Sequence, residues 1–454
     1  MKKIKISPIK VKRFFTTSRI KIAGFAGVII LGAILLMMPF SSAEHIVTPF
    51  KDALFTAVSA TCVTGLVVRD TATYWSLFGQ IIILVMIQIG GMGIITIAVF
   101  FTRVMGRKIG IMQRTTMQEA VSAPQVGGIV KMTGFIIKTS LCIELIGALA
   151  RSPVFIKDFG WIKGIWYSVF HSVSAFCNAG FDLMGVRSPC SSVTSYSGNA
   201  LVNIVIMLLI ITGGIGFLTW DDIKTHGFHF RKYRMQSKVV LLMTVFLLMI
   251  PAVYFYCAEF SSSLFNDMTA GQKVLASFFQ TVTARTAGYN AIDFNMLSET
   301  GRILHILLML IGGSPGSTAG GMKTTTFAVF ILSAVSVIKW KEEICVCGRR
   351  IDNTIVRNAL AIATIYFSLF FVGGVAISVL ENLPLSDCLY ETASAIGTVG
   401  LTLGITPKLG IASQIILILL MYLGRVGGLT LVYAAIASKN QGGAKLPLEK
   451  ITVG

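Results

Sequence analysis

Four short segments of this chain end alike, and their shared pattern suits the binding of a cation by backbone oxygens. Each segment places a glycine after an apolar run, at Gly65, Gly180, Gly288 and Gly400. Because glycine tolerates positive φ and the close approach of a second chain, nearby carbonyl oxygens can point to a common centre and replace a cation's hydration shell. The residues expected to form this site are Val63, Thr64, Gly65, Asn178, Ala179, Gly180, Thr286, Ala287, Gly288, Thr398, Val399 and Gly400.

These glycines have a second interpretation, because small residues also let membrane helices pack closely. A single glycine would favour that interpretation. Four equivalent glycines, each at the end of a short apolar run, favour the backbone site instead. The carboxyl ends of the short helices would also direct partial negative charge at the same point, which favours a cation.

A glycine-rich segment, Gly312–Gly321, interrupts an apolar stretch near the third glycine. Glycine and proline at this density prevent a continuous helix, so we expect a flexible segment that lines water inside the membrane. A phosphate-binding loop is the alternative, since Gly316 and Gly321 have the required spacing. Met322 stands before Lys323 where that motif needs an adjacent lysine, and the flanks are apolar, so nucleotide binding is disfavoured.

Three charged residues fall within or beside apolar segments. An arginine inside a bilayer costs about 2.5–3.5 kcal/mol on insertion scales unless it finds water or a partner. For Arg425 we prefer a position facing the pore over an escape to the cytoplasmic edge, because mostly apolar residues follow it as far as Lys439. Lys323 would reach the cytoplasmic vestibule. Arg285 follows the third short run and is expected to point behind the site toward Glu391.

The elements that must position these residues repeat four times. The short runs are too short to span a bilayer and suit re-entrant helices; they are Leu54–Ala60, Ile165–Phe176, Val274–Val282 and Leu389–Ala395. Long helices are predicted before them at Ile22–Phe40, Ile129–Leu149, Val239–Phe260 and Ala359–Leu380. Long helices are predicted after them at Trp75–Phe101, Ala200–Trp220, Ile303–Ile338 with an interruption, and Ile411–Ala437.

The predicted fold is an all-α integral membrane protein of four covalent helix–pore-loop–helix repeats around a pseudo-fourfold pore, with eight transmembrane helices. The repeats are placed at 22–104, 129–222, 237–340 with the interrupting loop at 312–324, and 353–437. A basic cytoplasmic segment, 1–21, precedes them, and a cytoplasmic tail, 438–454, follows. The run Ile22–Phe40 also resembles a signal peptide, but the repeat needs it as a helix.

Composition and charge agree with a membrane protein. Apolar residues make up 54% of the 454 residues and charged residues 13%, against about 25% charged in soluble domains. The net charge of +19 lies in basic loops that alternate with less basic ones, as the positive-inside rule describes. The charge therefore reflects topology, with lipid rather than nucleic acid as the neighbour. We expect a multi-pass plasma-membrane protein with both termini in the cytoplasm.

Cysteine and histidine give no sign of a cofactor. Cys345 and Cys347 are the only close pair among eight cysteines, and their basic loop is expected in the cytosol, where thiols stay reduced. His226 and His229 lack further ligands nearby and suit a solvated loop. We expect no cofactor and no metal site beyond a cation at the four glycines.

The glycine segments, the turns Gly90-Gly-Met-Gly93 and Gly213-Gly-Ile-Gly216, and the Gly424–Arg425 pair together resemble the Trk/Ktr/HKT superfamily of potassium transporters. The resemblance is greatest to the pore-forming membrane subunit of Ktr systems (KtrB). It implies potassium uptake through a channel-like pore in which the four glycine segments form the selectivity filter. Some plant members carry serine in the first segment and pass sodium, so Gly65 implies potassium.

The resemblance also implies a gate below the filter, a homodimer, and a cytosolic nucleotide-binding ring of the KtrA kind. Dependence on sodium stays open. The residues expected to form the gate are Gly312, Gly313, Ser314, Pro315, Gly316, Ser317, Thr318, Ala319, Gly320, Gly321, Lys323 and Arg425.

Two other classes of protein compete with a channel-like pore. An alternating-access carrier usually has two inverted or parallel halves, whereas this chain shows four copies running in one direction. A membrane-embedded enzyme needs converging polar groups within the spans, and Glu144 and His305 stand alone. We therefore predict that the protein is not an enzyme.

Overall fold

The computed structural model describes residues 17–105, 110–121, 127–188, 191–341 and 343–427. The N-terminal basic residues before 17, Arg107 and Lys108, and the tail from 428 onward lie outside this description, so the predictions that fall there are not addressed. Within the described ranges the regular structure is helical, apart from one two-stranded hairpin.

The helices follow the same order in each quarter of the chain: a long helix, a short helix, a non-helical segment and another helix. The first quarter contains α1 (Thr17–Met37), α2 (Phe50–Cys62), α3 (Leu77–Met92) and α4 (Ile94–Val104), followed by the connecting α5 (Ile111–Val121). The second contains α6 (Ile129–Phe159), α7 (Trp161–Phe176), α8 (Ala200–Gly214) and α9 (Phe217–His226).

The third quarter contains α10 (Met235–Tyr254), α11 (Ala270–Thr283), α12 (Glu299–Leu310) and α13 (Thr324–Ile338). A hairpin of β1 (Cys345–Val346) and β2 (Arg349–Arg350) joins it to the last quarter, which contains α14 (Asn353–Glu381), α15 (Leu385–Gly397) and α16 (Ile411–Val426). A helix thus occupies each of the four predicted short runs, as α2, α7, α11 and α15.

In the part of the chain that the structure describes, four helices are long and apolar enough to cross a membrane, at Arg19–Met37, Ile129–Phe159, Met235–Glu259 and Asn353–Glu381. The number reaches six if each of two bent pairs counts as one span, so helix length and composition alone do not give the predicted eight. The prediction of continuous helices at Trp75–Phe101 and Ala200–Trp220 is wrong. The chain bends by 96° between α3 and α4 and by 95° between α8 and α9.

Glycine accounts for both bends. Gly93 has φ 85° and Gly216 has φ 89°, in a region that side-chain-bearing residues rarely enter. A single residue in this conformation ends one helix and redirects the next, although the apolar composition continues unbroken through it. Hydropathy alone therefore does not reveal these two helix breaks, although the glycines mark where they occur.

A carboxylate connects the end of the long helical segment Met235–Glu259 to the start of α12, and another connects the end of α14 to the start of α16. Glu259 accepts hydrogen bonds from the Ser298 N–H (3.1 Å) and the Ser298 hydroxyl, next to the first residue of α12. Glu381 accepts from the Gly410 N–H (2.9 Å) and the Ser413 hydroxyl (2.5 Å) at the start of α16. Negative charge at a helix N-terminus is favourable, so these contacts fix where the two helices begin.

The core lies around the carboxyl ends of the short helices, where α2, α7 and α15 are buried along most of their length. The long helices instead expose apolar side chains on their outer faces, for example Ile34 at 50%, Leu145 at 60% and Val379 at 77%. Apolar side chains on the outer faces of the long helices suit a protein surrounded by lipid.

Candidate functional site: the glycine ring and the loop against it

The chain makes the same turn after each short helix. The residue two places before each glycine has positive φ, with values of 59° at Val63, 60° at Asn178, 64° at Thr286 and 51° at Thr398. The glycines follow with φ of 92° at Gly65, 68° at Gly180, 76° at Gly288 and 92° at Gly400. Four copies of one uncommon conformation, at residues that the sequence singles out, form four matching loops.

These loops contact one another in chain order and close on themselves. A Cβ on Gly65 would lie 2.5 Å from the Ala179 oxygen, and one on Gly180 would lie 2.8 Å from the Ala287 oxygen. A Cβ on Gly288 would lie 2.4 Å from the Val399 oxygen, and one on Gly400 would return to the Thr64 oxygen at 2.2 Å. We call Gly65, Gly180, Gly288 and Gly400 the glycine ring. Any side chain at these positions would collide with a neighbouring carbonyl.

The carbonyl oxygens that pack on the ring are those of Thr64, Ala179, Ala287 and Val399. Among the described residues, none donates a hydrogen bond to them. A buried carbonyl without a protein donor is uncommon. Four of them at one centre form a set of hard oxygen ligands of the kind that binds cations.

A hydroxyl near the end of each short helix clamps the loop that follows. The Ser59 hydroxyl accepts the Gly65 N–H at 3.1 Å, and the Ser394 hydroxyl accepts the Gly400 N–H at 3.0 Å. The Ser174 and Thr283 hydroxyls instead donate to the carbonyl just after the ring, at Phe181 and Tyr289, both at 2.7 Å. We did not predict these clamps, although the repeated serine of the segments was a visible signal.

The predicted interruption is present between α12 and α13, and it packs at the bend between α8 and α9. The Ser314 and Thr318 N–H groups donate to the Gly214 and Gly213 oxygens at 2.9 and 3.3 Å, and the Gly316 oxygen accepts from the Phe217 N–H at 2.8 Å. We call residues 312–321 the glycine-rich loop. Its ends are closed by a bond from the Gly312 N–H to the Met322 oxygen, 2.8 Å.

The glycine-rich loop lies directly against the turns that carry the ring. The Thr318 hydroxyl is 3.0 Å from both the Phe176 oxygen and the Asn178 Oδ1. A Cβ on Gly320 would lie 2.1 Å from the Thr398 Oγ1. The loop therefore covers the side of the ring to which residues 178 and 398 belong.

Arg425 binds the glycine-rich loop. One guanidinium nitrogen donates to the Thr318 oxygen, and the other donates to the oxygens of Gly90 and Gly91, the latter at 3.3 Å. The side chain thus links the loop to the end of α3. Lys323 binds the same loop, with its Nζ 2.8 Å from the Ala319 oxygen.

A cavity of about 550 Å³ adjoins the loop, and its lining comes from the glycine breaks of all four quarters of the chain. It includes Gly93, Phe217, Ala319, Lys323, Arg425 and Gly427. Both basic side chains of the predicted gate therefore line one cavity, and water in it would lower the penalty that an isolated charge carries inside a membrane.

Comparison with known proteins identifies the family. The TrkH model, described as a cation transport protein, matches residues 10–444. This chain belongs to the TrkH family.

Relatives of this TrkH-family chain are similar over nearly their whole length. It is 39% identical to a potassium/sodium uptake protein, NtpJ, of Enterococcus hirae, over 98% of this chain and 99% of that protein. It is also 39% identical to the Ktr system potassium uptake protein B of Bacillus subtilis, over 97% of both chains. The crystal structure of the potassium transporter TrkH from Vibrio parahaemolyticus has the same fold, with a TM-score of 0.72 at 19% identity, covering 96% of this chain and 86% of that one.

One predicted contact of this family member is wrong. Arg285 is buried but does not pair with Glu391; its nearest bond is from Nη2 to the Thr244 hydroxyl at 3.5 Å. Glu391 instead accepts from the Thr406 hydroxyl at 2.6 Å and the Leu403 N–H at 3.2 Å. Its carboxylate is therefore saturated by neutral donors of its own quarter, which the charges of the sequence do not reveal.

The remaining candidate side chains lie at the periphery. Cys345 and Cys347 are free thiols, exposed on the hairpin. Throughout the described ranges, no three histidine, cysteine, aspartate or glutamate residues come together as a metal site would require.

Outside the spans, burial raises the pKa of Asp182 to about 7. The hydrogen bond that its carboxylate accepts from the Met184 N–H lowers this pKa, and the negative charge of the nearby Asp70 raises it.

Proposed function

We propose that this chain takes up potassium across the plasma membrane through a channel-like pore whose selectivity filter is the glycine ring. The observation that carries the proposal is the closed set of positive-φ glycines with four carbonyl oxygens that have no protein donor. Such oxygens can replace the hydration shell of a potassium ion. The names of the relatives, potassium uptake proteins, support the choice of ion.

The proposed topology is four repeats with the predicted bounds, eight helical passages and both termini in the cytoplasm. Each quarter then contributes two passages, its long helix and the helix after the non-helical segment. The short helix and the segment that follows it enter and leave the membrane on the same side. The bends at Gly93 and Gly216 interrupt two of these passages, and α4 and α9 would complete them. Irregular backbone at membrane depth is tolerable here because it lines a pore.

In this proposal the gate is the glycine-rich loop held by Arg425. The loop covers the ring on one side and separates it from the cavity, and Arg425 adds a positive charge on the path of a cation. Uptake then requires the loop to move. A cytosolic nucleotide-binding partner of the Ktr kind would bias the two states, and the working unit would be a homodimer on that ring.

The test of the filter compares ion fluxes in liposomes that contain the purified protein. Gly65→Ser and Gly288→Ser place a side chain at φ 92° and 76° against a carbonyl oxygen, so the potassium-to-sodium flux ratio should fall about tenfold, a change of about 1.4 kcal/mol. Gly27→Ser is the matched control, because no heavy atom lies within 4 Å of its added Cβ.

An unchanged flux ratio in both ring variants, with the control also unchanged, would contradict the filter. The same assay addresses sodium, since the Enterococcus hirae relative is named for both ions. Potassium uptake that rises when sodium is added outside would favour sodium-dependent transport, and uptake without sodium would favour a potassium channel.

A further inference from the structure

Each short helix carries a buried polar side chain one turn before the hydroxyl that clamps its loop. These residues are Thr56, His171, Gln280 and Glu391, three positions before Ser59, Ser174, Thr283 and Ser394 respectively. All four are at most 1% exposed. Residues three apart share a helix face, so this layer lies behind the segments that follow the ring. Burying polar groups in such a place is costly unless they are bonded.

Two members of the layer hold the chain just beyond the ring, and they do so in the same way. His171 Nε2 accepts the Leu183 N–H at 3.2 Å, and Glu391 accepts the Leu403 N–H at 3.2 Å. Leu183 and Leu403 each lie three residues after their ring glycine. An imidazole and a carboxylate thus perform one task at equivalent places in the second and fourth quarters.

The chemistry of each acceptor is set by its other contacts. His171 Nδ1 lies 2.8 Å from the Tyr167 oxygen, which can only accept, so Nδ1 carries the proton and Nε2 is left with a free lone pair. Glu391 also accepts from the Thr402 and Thr406 hydroxyls, which hold the carboxylate in place. Contacts within the fold therefore orient both acceptors toward the Leu183 and Leu403 N–H groups.

The other two members make no such bond. The Thr56 hydroxyl donates within its own helix to the Asp52 oxygen at 2.8 Å. The amide atoms of Gln280 have no partner among the described residues. Because the ring contacts run through the quarters in chain order, the two held segments face each other across the ring and the two others alternate with them.

We propose that His171 and Glu391 are positioning residues that fix the outer mouth of the filter and thereby its discrimination between potassium and sodium. This inference rests on the proposed function. A segment anchored three residues beyond a ring glycine limits how far that glycine and the preceding carbonyl can shift. Without the anchor a buried N–H loses its acceptor, and the segment moves to satisfy it. The carbonyls of the ring then adapt to the smaller ion.

The experiment compares variants that remove the acceptor with variants that keep it. His171→Phe and Glu391→Leu preserve bulk but lose the bond, whereas His171→Gln and Glu391→Gln retain an oxygen that can accept the same N–H. Thr56→Val is the matched control at the equivalent position of the first quarter. The readout is the potassium-to-sodium flux ratio in liposomes, which a lower amount of folded protein does not change.

We expect a flux ratio about tenfold lower in His171→Phe and Glu391→Leu, equal to about 1.4 kcal/mol. We expect a ratio near that of the wild type in the two glutamine variants and in Thr56→Val. A wild-type ratio in both apolar variants, while Gly65→Ser lowers it, would overturn the positioning role and leave the filter intact. If Gly65→Ser also leaves the ratio unchanged, the proposed function itself fails.

A second measurement needs no variant and stands if an apolar variant fails to fold. Amide hydrogen exchange of the wild-type protein should be slower at Leu183 and Leu403 than at Val68 and Ala291, which lie three residues after Gly65 and Gly288. Equal exchange at all four positions would contradict the proposed anchors.

Discussion

The glycine ring and the glycine-rich loop are both rich in glycine, but they are held in different ways. Each ring segment is clamped by a hydroxyl from its own short helix, as Ser59 and Ser394 do for Gly65 and Gly400. The glycine-rich loop depends on bonds to distant parts of the chain. The contrast teaches that glycine supplies access to a conformation, and that the neighbouring bonds decide whether the segment keeps it.

The loop's distant bonds come from three sources. Its backbone bonds to Gly213 and Gly214, its Thr318 hydroxyl bonds to the Asn178 side chain, and its Thr318 oxygen accepts from Arg425. Losing a few of these costs far less than rebuilding a ring loop, whose bonds are local. We therefore expect the ring to stay fixed while the loop moves, and this expectation can be tested.

The largest effect should come from removing the loop. Deleting Ser314–Ala319 takes away the segment that covers the ring, so basal potassium flux should rise roughly a hundredfold if the open state is about 1% populated in the intact protein. The flux ratio of potassium to sodium should stay near that of the wild type, because the ring is held separately. Liposome flux measures both.

A deletion variant that stays closed would mean that the loop is a tolerated kink and that the gate lies elsewhere. One that opens but loses discrimination would mean that the ring depends on the loop. That second result would remove the contrast between the two regions.

An intermediate effect is expected for Arg425→Ala. The change removes the bonds to the Thr318 and Gly90 oxygens, and hydrogen bonds to charged groups contribute about 1.5–3 kcal/mol. Basal flux should rise about tenfold, with an unchanged flux ratio. Arg187→Ala is the control, since Arg187 forms an ion pair with Asp158, and the two side chains are 36% and 27% exposed. Equal fluxes in the two variants would show that Arg425 does not hold the gate.

The smallest effect is expected from Asp182, which lies outside both the glycine ring and the glycine-rich loop. The pKa of Asp182 is raised to about 7, so the side chain is mostly charged at pH 8 and mostly neutral at pH 6. Loss of one negative charge near the ring should lower potassium flux about twofold over that interval, since a single partly solvated charge has a modest effect. Asp182→Asn should remove this part of the pH dependence. An identical pH profile in the variant would rule out Asp182 as its source.

Much of the site followed from the sequence because it depends on local rules. Gly65 and its three counterparts stand where the backbone needs positive φ, and the density of glycine at 312–321 forbids a helix. Both can be recognised without knowing any tertiary contact. An arginine within an apolar helix needs acceptors or water, so the placement of Arg425 among carbonyl oxygens also agrees with a local rule.

The features that the sequence did not predict depend on distances and directions in the folded chain. The bend at Gly93 lies within an apolar stretch that reads as a single helix. Glu391 finds neutral donors rather than Arg285, because bonds from Thr402 and Thr406 satisfy it first. The acceptor role of His171 needs the position of Leu183, which only the folded chain supplies. In each case the missing information is which of several compatible partners comes closest.

The central claim, that the glycine ring binds the transported ion, is tested most directly by locating that ion. Crystals grown with rubidium or thallium in place of potassium would give an anomalous signal from the bound cation. We expect a peak at the centre of the ring, coordinated by the oxygens of Thr64, Ala179, Ala287 and Val399. A well-ordered ring without a peak, or a peak only at acidic side chains elsewhere, would contradict it.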